Sequence, residues 1–192
     1  GHGHHVASIV GGNAAIGTTD DNGFLYGLGM APAANIIDQP LLVDSVSILD
    51  VCRDTVTTAG PNGMMGYIQN NSWGSGNDED PGVNTTYQSL EQAYDLLVRD
   101  SDNQSPGNQS LVILFSAGNE GNDFAGCPAP LETLTRPKVA KNITTVGATN
   151  NYRPTRGAYG DDIEDLAAFS SRGPAADGRI KPEIVMPGTW VA

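Results

Sequence analysis

All three histidines of the chain fall in its first five residues, as His2, His4 and His5. Imidazole gives and takes protons near neutral pH, with an unperturbed pKa of about 6.5. Beyond them, Val6, Ile9 and Val10 recur at i, i+3 and i+4, the spacing of one helix face turned to a core. Gly11 and Gly12 are expected to end that helix, because glycine tolerates the left-handed C-terminal position. His2 is then a proton carrier at the start of a short buried helix, a rigid seat for a general base. Two other readings stand beside this one. The cluster could be a chance or tag-derived run, or it could bind zinc weakly through His2 and His5, which lie three apart. A helical His-Glu-x-x-His pattern is absent.

A second constellation lies in the middle of the chain. Leu111 to Phe115 is a short, unbroken apolar run, the pattern of a strand covered on both faces in a parallel sheet. It leads straight into Ser116-Ala117-Gly118-Asn119-Glu120-Gly121. Asn119 could be a turn residue bonded to its own backbone. Its place just past a buried parallel-type strand favours a site, since α/β folds put their chemistry at strand C-termini.

The elements that must position these groups can be read in outline. Ala34 to Ile37 reads as a strand after Gly29-Met30-Ala31-Pro32, and residues 13–29 as a Gly- and Asp-rich surface loop. Val46, Leu49, Cys52 and Val56 give residues 43–56 the spacing of an amphipathic helix, broken by Pro61-Asn62-Gly63. Tyr67 to Asn70 is short enough for a strand and ends at Asn71-Ser72-Trp73-Gly74. Thr85 and Gln88 suggest a capping box for a helix whose apolar face is Tyr87, Leu90, Tyr94, Leu97 and Val98. Asn142 to Ala148 reads as a further core strand. The acidic loop with Asp78, Glu79 and Asp80 could hold structural calcium or simply be solvated, and the same choice applies to Asp161, Asp162, Glu164 and Asp165.

Composition narrows the classes. The 192 residues carry a formal net charge of −12 and are 39% hydrophobic, enough for one domain with a real core. So acidic a chain does not suit nucleic acid or an anionic membrane surface, both of which call for basic patches. No apolar run is long enough to span a bilayer. Cys52 and Cys127 could pair, but two cysteines do not fix a redox compartment. Asn-x-Ser/Thr sequons begin at Asn70, Asn84, Asn103, Asn108 and Asn142, and matter only where the source glycosylates.

Several of these stretches, in this order, resemble segments of the subtilisin-like serine proteases, the subtilases. His2-Gly3-His4-His5-Val6-Ala7 is similar to the family's His-Gly-Thr-His-Val-Ala signature, with His4 in place of Thr and Ser8 in place of a following Gly. Gly29 to Pro32, Asn71 to Gly74, Ala117 to Gly121, Val146 to Ala148, Phe169 to Pro174 and Lys181 to Gly188 match further family segments. The resemblance implies an α/β fold, a three-layer and mostly parallel sheet with helices on both faces, here truncated at both ends. It implies that His2 is the triad base and that Asn119 donates into the oxyanion hole. It implies that Ser72, Trp73 and Gly74 line subsites on the acyl side of the cut. Exposed backbone of that kind can bind an extended peptide as an added strand, and glycine gives close access. Ser116, Ala117 and Gly118 would wall the pocket for the residue before the scissile bond.

The family's triad runs Asp, His, Ser. Only Gly1 precedes His2, and no Gly-Thr-Ser follows Gly188, where Thr189 and Trp190 stand instead. The expectation is therefore an internal piece, residues 1–192, of a peptidase domain that is inactive by itself. The intact parent would be a secreted or extracellular serine endopeptidase with polypeptide substrates and no cofactor for its chemistry. A non-catalytic peptide-binding domain of the same fold and a metal-binding module built on the histidines are the two rival readings.

Overall fold

The computed structural model describes residues 1–14, 16–39, 46–60, 62–75, 85–122, 131–154, 157, 160 and 162–191. Its centre is a sheet of four strands, β1 (Ile68–Asn71), β2 (Val112–Ser116), β3 (Thr144–Thr149) and β4 (Ile184–Pro187), in the order β1-β2-β3-β4. Every neighbouring pair is parallel, with Ile68 opposite Val112, Leu114 opposite Thr144, and Val146 opposite Ile184. Among the described residues it is accompanied by the α-helices α1 (His2–Gly11), α2 (Ile48–Thr57) and α3 (Ser89–Leu97). Parallel neighbours need long crossovers, which α3 supplies between β1 and β2. The architecture is the α/β, parallel-sheet class expected from the sequence.

The core forms on the face that carries Ile113 and Phe115. Side chains alternate along a strand, so this face excludes Val112, which is half-exposed while Ile113 and Phe115 are buried. The reading of β2 as covered on both faces is corrected accordingly. Exposed Ile68, Ile184 and Met186 share the open face with Val112. On the covered face Phe115 meets Trp73 and Tyr94 edge-on, at centroid distances of 5.3 and 5.2 Å. Such pairs add to the apolar burial. Tyr94 and Leu97 of α3 and Cys52 of α2 close the same cluster.

Cys52 is a buried free thiol whose Sγ donates to Gln69 Oε1 at 3.5 Å. Burial pushes its pKa up to about 11, against the Gln69 hydrogen bond. Cys127, the partner considered for it, lies outside the described residues.

Several local expectations shift. α2 begins at Ile48, capped by the Ser47 side chain, which accepts from Asp50 N at 3.1 Å. Its inward face is Val51, Cys52 and Thr55, while Val46 and Leu49 are exposed. The capping box of α3 lies further along than Thr85–Gln88: Glu91 accepts from Gln88 N at 2.9 Å. Residues 34–37 form no strand.

Helix α1 forms where expected but buries no residue. Gly12 at its end has φ −55° rather than the left-handed value. The glycines serve proximity instead. Gly29 N donates to Gly12 O at 2.7 Å, and β-carbons at Gly12 and Gly29 would lie 2.6 and 2.7 Å from Ser8 O. Met30 N and Ala31 N then cap Ile9 O and Val10 O at 2.9 and 2.7 Å. The last turn of the helix is thus satisfied by a neighbouring strand of backbone.

One ion pair ties helix to loop. Glu91 is fully buried, and its carboxylate receives Arg136 Nε at 2.9 Å and Nη2 at 3.0 Å. Glu91's hydrogen bond holds the guanidinium pKa above its usual value. Arg136→Met leaves Glu91 charged and uncompensated in the interior, at a cost of about 3–5 kcal/mol. Urea unfolding of the intact protein should show a midpoint shift of that size, and a shift below a third of it would mean the pair is not a structural tie.

Candidate active site

The C-terminal end of β2 gives way to a tightly tethered loop. Ala117, 2% exposed, keeps the sheet's hydrogen bonding, its N–H donating to Val146 O at 2.8 Å, and its side chain packs with Leu134, Val139 and Ala175. At Gly118 the chain takes φ +115°, a conformation open to glycine. A β-carbon there would collide with the Glu120 carboxylate and lie 2.7 Å from Ser171 Oγ.

Ser171 does most of the tethering. Its N–H donates to Gly118 O at 3.1 Å, and its hydroxyl accepts from Glu120 N at 3.0 Å and donates to Glu120 Oε2 at 2.5 Å. Gly121 N donates to Phe169 O at 2.9 Å, and Arg172 Nη1 donates to Gly121 O at 3.0 Å. Asn119, at the crest of this loop, is exposed. Its amide stands at a strand C-terminus on a backbone fixed from both sides. Preorganised donors of that kind stabilise charge without reorganising during a reaction.

The second segment runs along the first. Trp73 turns its ring inward onto Phe115 and Tyr94, and its indole N–H donates to Asn71 Oδ1 at 3.0 Å. The Trp73 side chain is thus part of the core, leaving its backbone for any ligand. Ser72 and Ser116 are half-buried, and Gly74 is exposed. Ser75 and Arg136 exchange backbone hydrogen bonds at 3.0 and 2.9 Å, joining this segment to the loop that carries Lys138. A β-carbon on Gly74 would collide with Thr135 Oγ1, and one on Gly118 would lie 3.1 Å from Lys138 Nζ. Segments 72–74 and 116–118 therefore meet over one buried lysine.

His2 lies at the exposed start of α1, with Gly1 as its N-cap and no side-chain cap. Among the described residues no hydrogen bond joins His2 to Asn119. The module that carries His2 is anchored by other contacts. Asp20 pairs with Arg153, whose guanidinium lies 3.8 Å over the Phe24 ring, and Gln39 Nε2 donates to Val51 O of α2 at 3.2 Å. Among the described residues no three His, Cys, Asp or Glu side chains are placed to hold a metal ion. Asp78, Glu79, Asp80 and Asp161 lie outside those residues.

Sequence reasoning missed Ser171, Thr135 and Lys138 as members of this site. Ser171 was legible only as part of Phe169-Ser170-Ser171-Arg172-Gly173-Pro174, and Lys138 only as one of the basic residues Arg136, Lys138 and Lys141 ahead of a core strand.

The layout is that of an α/β protein whose candidate site lies at the C-terminal ends of parallel strands. The sequence model of the subtilase family matches residues 1–191, and the chain belongs to that family. Over 198 aligned residues it is 28% identical to the serine protease AprX of Bacillus subtilis (strain 168), an alignment covering 98% of this chain and 38% of AprX. Over 61 residues it is 44% identical to a protein of Aquifex aeolicus (strain VF5) named only as uncharacterized, covering 31% of this chain and 26% of that one. The chain thus spans well under half the length of AprX, and its match to the second protein covers 26% of that protein. No described helix is long and apolar enough to cross a membrane.

Ser171→Ala removes both hydroxyl bonds to Glu120. Loss of partners for such part-buried groups costs about 1–3 kcal/mol, and it should fall locally. Hydrogen exchange should accelerate at residues 118–121 while the amides of β2 keep their protection. Uniform acceleration across the sheet would show that the serine supports the fold rather than this loop.

Proposed function

We propose that the protein to which this chain belongs is a serine-type endopeptidase. The observation that carries this reading is the exposed Asn119 on a loop fixed at the end of β2, in a chain matched by the subtilase family along its length. In this reading residues 1–192 are part of one peptidase domain, and the triad's Asp and Ser come from beyond them. His2 takes the proton of the serine as its oxygen attacks the peptide carbonyl. The Asn119 amide, with a backbone N–H, receives the oxyanion. His2 then protonates the leaving amine, and water repeats the sequence on the acyl-enzyme.

Residues 72–74 lend backbone to an extended substrate, and 116–118 form the wall of the pocket beside the reacting carbonyl. Ala117 contributes main chain to that wall, since its methyl is buried in the interior. The chemistry needs no cofactor, and calcium at the acidic loops would be structural. Extracellular action on polypeptides fits the family and the net charge of −12.

The test is a pair of variants in the intact protein. Asn119→Leu should lower kcat by about 10²–10³ with little change in KM, because its bond forms only in the transition state. His2→Ala should cost about a million-fold, the scale known from subtilisin, after which the family is named. Fluorophosphonate labelling of the wild type comes first: a protein that never labels is a non-catalytic peptide-binding member of the fold. Activity indifferent to His2→Ala would remove His2 from the triad.

A further inference from the structure

Lys138 is the charge the fold has least reason to bury. It is 2% exposed, and its ammonium donates to the Thr135 hydroxyl at 2.5 Å. Among the described residues it forms no ion pair. Glu120 is the acidic group that acts on it, and that carboxylate is engaged by the Ser171 hydroxyl. Burial draws the ammonium's pKa below its usual value, with Glu120 opposing. Sequestering a cation on one neutral partner is expensive unless something else completes its shell.

Its position shows what could do so. A β-carbon at Gly74 would lie 2.5 Å from Nζ and one at Gly118 3.1 Å. The ammonium therefore sits between the two segments that flank the substrate in the proposed reaction, and both are glycine where they approach it. Gly74 is exposed to solvent, and only the side chain it lacks would stand between that surface and the amine. Thr135 takes one hydrogen of Nζ, and among the described residues no other acceptor takes the rest.

We propose that Lys138 is a specificity-determining residue that selects an acidic side chain, Asp or Glu, in the substrate residue immediately before the scissile bond. This rests on the endopeptidase reading and names its substrate class. The incoming carboxylate supplies a counter-ion and forms a charge-assisted hydrogen bond with the buried ammonium. An uncharged amide of the same shape leaves the cation without that partner, and a basic side chain meets like charge.

The experiment uses the intact protein and a set of peptides that differ only before the cut, with Asp, Glu, Gln, Leu, Phe or Lys. At neutral pH the kcat/KM for Glu should exceed that for Gln by about 100-fold, in the range expected when a polar site is left unpaired. In Lys138→Met and Lys138→Gln that ratio should fall to about one, a readout independent of total activity. Should either variant fail to fold, the wild-type ratio decides alone. Preference for Leu, Phe or Lys by a labelling, active wild type would overturn the acidic assignment and leave the peptidase reading intact, with Lys138 then a plug that fills the pocket. An unchanged Glu-to-Gln ratio in folded variants would overturn it as well. Absence of both cleavage and fluorophosphonate labelling would sink the peptidase reading and this proposal together.

Discussion

The Glu91 carboxylate joins three parts of this molecule that are far apart in the chain. It caps the start of α3 by accepting from Gln88 N, and it takes two hydrogen bonds from the Arg136 guanidinium. Arg136 in turn pairs by its backbone with Ser75, past the end of β1. A helix start, an irregular loop and the continuation of an edge strand are thereby set by one buried anion. A buried ion pair is weak support for stability as such, but losing one partner is severe. What the pair secures is placement, since the loop it fixes is the one that delivers Thr135 and Lys138 to the site.

Glycine has two separate duties around that loop. Gly118 supplies a backbone conformation other residues resist, and it also leaves room for Glu120 and Ser171. Gly74 supplies room alone, for Thr135 and Lys138. In both places a polar group occupies the space of a missing side chain. At these two glycines Lys138 Nζ and Ser171 Oγ therefore lie directly against main chain, which cannot change rotamer. A loop held by Ser171 on one side and a lysine held by Thr135 on the other need little rearrangement when a peptide arrives.

Much of this was legible in the residues. β2 declared itself by an unbroken apolar run, and Asn119 by its place directly after it, because strand length and the end of a strand are local properties. The two faces of that strand could not be told apart: Val112 and Ile113 are equally apolar, and only the packing of α2 and α3 decides which is covered. The capping box was read at Thr85 because Thr85 and Gln88 fit the pattern, whereas Glu91 also answers to Arg136, far along the chain. Gly11 and Gly12 suggested a left-handed stop. The demand they meet is the approach of Gly29, a tertiary contact with no trace in the local pattern. Lys138 was invisible for the same reason, as nothing near it in the chain hints at Gly74 or Gly118.

Among the described strands every pairing is parallel, and that has a kinetic meaning. Leu114 must find Thr144 thirty positions on, and Ile68 must find Val112 at a still greater distance. Each closure spends chain entropy before any ladder bond repays it, so contact order is high and assembly is slow. Strand edges stay bare in the meantime, which is when parallel sheets are most open to intermolecular pairing. An excess of negative charge spread along the chain keeps such half-built copies apart during that interval. The acidity of this protein is then as much a property of its folding route as of its finished surface.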